Sequence, residues 1–179
     1  MLSCRSVAAC LALAALAACA AHAPMTSRPD AKFGRAATAQ EVAASDISIP
    51  PSGEGLPSGS GNAKQGEAVY LAKCQSCHGA KGVGKPADPL AGGVGSLASA
   101  NPVRTVGSYW PHATTLFDYT RRAMPVTNPM SLTNDEAYAV TAYVLYLNGI
   151  VGESDEMNAR SLPQVKMPNR DGFVDWSRK

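Results

Sequence analysis

The sequence carries almost no excess charge: 16 Lys and Arg stand against 14 Asp and Glu, a formal net of +2. Nucleic acid is therefore not an expected partner, and any recognition surface has to come from local asymmetry. Apolar runs are short as well; the stretch from Val7 to Ala18 falls below the length of a good membrane span. Cysteine is scarce, five in 179 residues, and only one pair has ligand-like spacing. A tetrahedral zinc site needs a second pair of ligands at comparable spacing, so structural zinc is excluded. No nucleophile with a matching base can be assembled from the remaining residues. Independent catalysis is not expected. The length allows one domain with residues to spare at both ends, and 16 glycines with 13 prolines indicate a loop-rich body.

The one cysteine pair is Cys74-Gln75-Ser76-Cys77-His78, followed at once by Gly79. C-x-x-C-H is the attachment pattern of a c-type haem: each thiol forms a thioether with the macrocycle, and the adjacent histidine supplies an axial imidazole. A dithiol redox motif would follow a strand and open a helix. Here the cysteines follow a helical run and precede a glycine-rich loop. One covalent haem c is expected, on Cys74, Cys77 and His78.

The N-terminus agrees with that chemistry. Residues 1–23 read as an export signal: Arg5, the apolar run, then small residues. Leu16-Ala17-Ala18-Cys19 resembles a lipobox, which would make Cys19 a lipid anchor; cleavage after Ala18-Cys19-Ala20 is the rival. Either route predicts a periplasmic product, free or held as a lipoprotein. With Cys4 and Cys10 leaving in the signal, no thiol is left for a structural disulfide.

Residues 24–61 form an irregular extension. Thr38 and Glu41 make a capping box for a short helical turn over Ala39 to Ala44. Ile47 to Pro51 is a short extended piece, and Gly53 to Gly61 reads as loop; taken alone, the region is a flexible tether. Helical patterning begins at Asn62 and runs to Lys73, with Gly66, Val69 and Tyr70 on one face for close packing. Past His78, the loop through Asp88-Pro89-Leu90 offers the Pro89 carbonyl as partner for the second ring nitrogen of His78. Tyr109 and Trp110 precede a helix over Thr115 to Ala123. Both suit contact with haem propionates, as does Arg121 or Arg122, each of which also fits a solvated face.

A sixth ligand to iron should lie beyond that helix. Met124, locked before Pro125, is favoured over Met130, which precedes the next helix in a stretch expected to be exposed. His112 is the bis-histidine alternative. Thr133 and Glu136 cap a last helix that runs to Asn148 and stops at Gly149, with Leu132 stapled to Ala137. Its apolar residues cover most faces, so burial against several neighbours is expected. From Arg160 the tail holds five Lys and Arg against two Asp. Its prolines, Phe173 and Trp176 predict an extended strap that packs on its own domain or on a partner.

Taken together, Asn62 to Gly149 resembles a class I cytochrome c. A narrower likeness runs from Gly107-Ser108-Tyr109-Trp110-Pro111-His112 through Arg121-Arg122-Ala123-Met124-Pro125, from Glu136 to Gly149, and over Lys166-Met167-Pro168-Asn169-Arg170-Asp171-Gly172-Phe173. Those stretches, with Phe33-Gly34-Arg35 and Gly55 to Gly61 upstream, resemble the cytochrome subunits of bacterial sulfite and sulfur dehydrogenases. His112 stands where that family usually has tyrosine. The resemblance implies an all-α, haem-centred domain over residues 62–150, flanked by the extension and by a strap over 151–179. It implies a monohaem electron-transfer subunit that accepts electrons from a molybdenum-cofactor dehydrogenase and passes them to a downstream cytochrome. A general periplasmic carrier, or a haem enzyme with an open sixth site, remains as the alternative. The resemblance also implies that extension and tail wrap the haem domain or grip the partner.

Overall fold

A computed structural model describes residues 34–174 and 176–178. The export segment, Cys19 and Phe33 lie outside the described residues. The chain divides into two compact units, one up to Val42 and one from Ala43 onward. In the first, the expected capping box is present: Glu41 N–H donates to Thr38 Oγ1 at 3.2 Å, and Thr38 N–H to the Glu41 carboxylate at 2.8 Å. It opens helix α1 (Ala39–Ser45). Arg35 closes the same turn on the Glu41 carboxylate at 2.7 Å, and that cation with the capping bonds holds the acid down to about 2.

The second unit is mostly helical. Helix α2 (Ala63–Lys73) starts at Asn62, whose side chain and Gln65 form a reciprocal capping box. A short turn, α3 (Gln75–His78), follows. Helix α4 (Ala113–Ala123) begins two residues before the patterned run, and α5 spans Asn134–Leu147. The Thr133–Glu136 box caps α5 at its start. At its end Gly149 adopts φ +67°. Gly149 N–H donates to Tyr146 O and Ile150 N–H to Leu145 O, at 2.8 and 3.0 Å. These are the paired bonds of a Schellman stop, with Asn148 as the cap residue.

The core forms where α2 crosses α5. Gly66 lies so close to α5 that a Cβ there would overlap the Ala139 carbonyl and stand 2.8 Å from Tyr143 Cβ. The absent side chain lets the two backbones meet, and the Tyr70 and Tyr143 rings then pack at 5.2 Å. On the other side of α5, Phe117 of α4 stacks on Tyr138 at 4.4 Å. A run of α5 from Ala137 to Leu145 is buried, as a helix apolar on most faces requires.

Both flanking segments pack on this core, which corrects the reading of 24–61 as a tether for the part from Ser48 to Gly61. Ile49 N–H donates to Asp118 Oδ1 at 2.9 Å, and Thr114 Oγ1 to Pro51 O at 3.1 Å. Tyr138 Oη donates to Pro57 O at 2.9 Å and Ser60 N–H to Asp135 Oδ1 at 2.8 Å. Strand β1 (Ser60–Gly61) pairs antiparallel with β2 (Met157–Asn158), so the extension and the tail also hold each other. From the tail, Met157, Leu162, Val165 and Met167 are buried in the core.

Candidate functional site

Helix α2 delivers the cysteine motif. Cys74 is its cap residue, and Cys74 N–H still closes the last turn on Tyr70 O at 2.9 Å. The chain then turns through α3 and leaves at Gly79, where φ is +73° and a Cβ would run into the Gly84 backbone. Glycine alone meets both demands. Tyr70 Oη reaches back to Gly79 O at 2.7 Å. Downstream, Gly84 N–H donates to His78 O and Ala87 N–H to Cys77 O, each at 2.8 Å. The loop is thereby folded over its own motif.

That folding presents a carbonyl to His78. Its Nδ1 lies 2.9 Å from Asp88 O, and since a carbonyl only accepts, Nδ1 carries the proton. The expected acceptor was Pro89, so the assignment is corrected by one residue. The accepting carbonyl belongs to the Asp88–Pro89 peptide, a tertiary amide with no N–H of its own. Proline therefore contributes the nitrogen of the accepting group, not its oxygen. With Nδ1 protonated, Nε2 keeps its lone pair and can ligate a metal.

A cavity of about 580 Å³ opens beside the motif, within the usual range for a bound small molecule or prosthetic group. Cys74, Cys77, His78 and Met124 all line it, with Leu90, Val106, Leu116, Val140 and Val144 as apolar wall. Burial, opposed by the Lys73 charge, pushes the Cys74 thiol up to about 11. Met124 has extended torsions, φ −115° and ψ 146°. Met130 lies outside the lining and is 60% exposed. His112 lies outside it too; its Nδ1 is buried with no hydrogen-bond partner among the described residues, and burial together with the Arg170 charge lowers its pKa.

Tyr109, Trp110 and Pro89 line the cavity as well. Arg121, the arginine expected at a propionate, is not among the lining residues. On α4, Leu116, Tyr119 and Thr120 form the stripe that faces the cavity, and Arg121 is turned off that stripe by helical geometry. Arg122 is engaged elsewhere, donating from Nε to Asp118 Oδ1 at 2.8 Å. The arginine that does line the cavity is Arg104, its guanidinium 5.6 Å from the Tyr109 ring centroid. Sequence reasoning missed Arg104 because it sits in a loop without periodicity. The only available signal was an arginine a few residues before Tyr109-Trp110.

The family described as cytochrome c oxidase, cbb3-type, subunit III, matches residues 61–144. A chain in the crystal structure of the sulfane dehydrogenase SoxCD from Paracoccus pantotrophus is 40% identical with a TM-score of 0.76, over 83% of this chain and 73% of that one. The chain belongs to the cytochrome c family. Curated proteins give no match to this cytochrome. Membership implies covalently bound haem c, and the residues present fit it: two unpaired thiols, an imidazole with a free Nε2 and a thioether share one largely apolar cavity. The cytochrome is mostly helical, and among its described residues no helix is long and apolar enough to cross a membrane.

Proposed function

We propose that this cytochrome is the monohaem electron-transfer subunit of a periplasmic molybdenum-cofactor dehydrogenase acting on an inorganic sulfur compound. Electrons would pass from that enzyme through this chain to a downstream cytochrome. One observation carries the reading: the 40% identity to a chain of sulfane dehydrogenase SoxCD extends over 83% of this chain, beyond the haem domain itself.

Haem held here would supply a one-electron iron couple. The protein's part follows from its own residues. Cys74 and Cys77 would tether the macrocycle, while His78, oriented by Asp88 O, and Met124 would ligate its iron. An imidazole and a thioether together favour a relatively high potential. Val106, Leu116, Val140 and Val144 line the cavity with apolar surface and would keep water from a bound macrocycle. Arg104, Tyr109 and Trp110 form the polar-tipped wall suited to carboxylates.

The deciding experiment mixes the haem-loaded full chain with the molybdenum subunit of a sulfane or sulfite dehydrogenase. On addition of the sulfur substrate, the haem absorption should change to the reduced form within the turnover time of the enzyme. Reduction by small-molecule donors but not by that subunit would leave a general periplasmic carrier.

A further inference from the structure

The carbonyl that orients His78 lies in a loop, and a loop has to be held. Leu90, two residues beyond Asp88, donates its N–H to Gly82 O at 2.8 Å, and its carbonyl accepts from Val106 N–H at 3.2 Å. One side chain adds to these. Asn148, the cap residue of α5, donates from Nδ2 to Leu90 O at 3.0 Å and to Val144 O at 2.8 Å. Its Oδ1 accepts from Gly92 N–H at 3.0 Å. The amide thus uses both donors and its acceptor, and it bridges two points of the loop to the helix end.

The bridge is itself confined. Gly107 packs against the Asn148 side chain so closely that a Cβ at 107 would stand 2.8 Å from Asn148 Cγ. Gly92 is held from the other side, since Thr105 Oγ1 donates to Gly92 O at 2.5 Å. Val144, whose carbonyl Asn148 also engages, lines the cavity along with Leu90. Asn148 therefore ties the loop that carries the His78 acceptor to the helix whose Val140 and Val144 also line the cavity. A glutamine is one methylene too long for that space, and aspartate would place a carboxylate against two carbonyls.

We propose that Asn148 is a positioning residue for the axial histidine: by fixing Leu90 and Gly92 it sets the Nδ1–H···O bond from His78 to Asp88. That bond makes the imidazole a stronger donor to iron, which favours the oxidised state and lowers the reduction potential. The inference rests on the haem reading above.

The test uses the haem-loaded full chain with Asn148→Ala and Asn148→Asp. Two quantities are read: the exchange rate of the His78 Nδ1 proton by NMR, and the midpoint potential by redox titration. We expect exchange about tenfold faster in Asn148→Ala, the scale of one weakened hydrogen bond, and a midpoint shifted upward. Asn148→Asp, which keeps an acceptor for Gly92 but loses both donors, should likewise exchange faster, and the exchange rate is its readout because the added carboxylate charge moves the midpoint by itself. Thr141→Val is the control: its hydroxyl is buried on the same helix with no hydrogen-bond partner among the described residues, and neither reading should move. Asn148 variants that melt earlier while keeping wild-type exchange, with the wild-type potential kept in Asn148→Ala, would show a purely structural role and overturn the proposal. Should Asn148→Ala not fold, Asn148→Asp alone decides by its exchange rate. A wild-type chain that binds no haem would overturn the haem reading, and this inference with it.

Discussion

Gly66 has no room for a methyl group, because the position a Cβ would take is already occupied by Ala139 backbone atoms. Gly66→Ala has to push α2 off α5, and overpacking of this kind costs about 3 kcal/mol. The urea midpoint should fall with little change in slope, which is the signature of lost stability without altered compactness. At the iron, Met124→Ala should abolish the thioether-to-ferric charge-transfer band, whereas Met130→Ala, at an exposed position outside the cavity, should leave it intact. The reverse result would move the ligand. Gly66 was readable from sequence, since a glycine inside a helix has few structural explanations, and Met124, singled out by its place before a proline, lies in the cavity lining. The acceptor for His78 was readable only to the peptide. Whether the oxygen comes from Asp88 or Pro89 depends on loop torsions that no motif encodes. The place of Arg121 off the cavity lining was illegible for a similar reason, because it required knowing which helical stripe turns inward.

Among the elements, the helices were legible and the fastenings between them were not. Capping boxes and periodicity mark α2 and α5 locally, so Thr133→Ala should lower stability by about 1 kcal/mol, measured by thermal unfolding. By contrast, the bond from Ile49 N–H to Asp118 links residues far apart in sequence, and nothing near Ile49 announces it. Asp118 also gives α4 a pH signature. Burial alone would raise its carboxyl pKa, but the Arg122 hydrogen bond, the Ile49 amide and the nearby cationic charges outweigh burial and hold it below the usual value. Glu136 is lowered as well, by Lys73 at 2.6 Å and by the Thr133 amide. A carboxyl whose folded pKa is depressed contributes stability above its unfolded pKa and loses it as pH falls through the folded value. Melting temperature should therefore decline below about pH 4. Asp118→Asn keeps an acceptor for Ile49 while removing the titration, so its acid-side decline should be shallower, from a lower plateau at neutral pH. An unchanged slope would assign the acid sensitivity elsewhere.

At the scale of the whole molecule, the tail divides into two parts with different burdens. Its first part belongs to the core: Leu162 is fully buried and Met167 nearly so. Leu162→Ala should cost about 3 kcal/mol by leaving a cavity, and removal of everything from Leu162 onward should unfold the domain. The second part lies on the surface beside the cavity wall. Asn169 Nδ2 donates to Tyr109 O at 2.8 Å, and the Phe173 ring meets the Tyr109 ring edge-on at 5.2 Å. Phe173 and Val174 nevertheless stay 51% and 64% exposed. Large apolar side chains left on the surface next to the cofactor cavity are the kind of anchor that protein interfaces use. The strap expected from the sequence thus packs into its own domain as far as Met167, while Phe173 and Val174 beyond Pro168 stay largely exposed. A chain ending at Gly172 is the informative variant, because it removes the exposed end and leaves the buried half intact. It should keep the haem spectrum and lose little thermal stability, yet accept electrons from the molybdenum subunit more slowly at low protein concentration. Saturating protein should restore much of the rate, since the defect would lie in association. Equal rates in the full and shortened chains at every concentration would confine the tail to a structural role and shift the search for the docking surface to Val126, an exposed residue of the cavity lining.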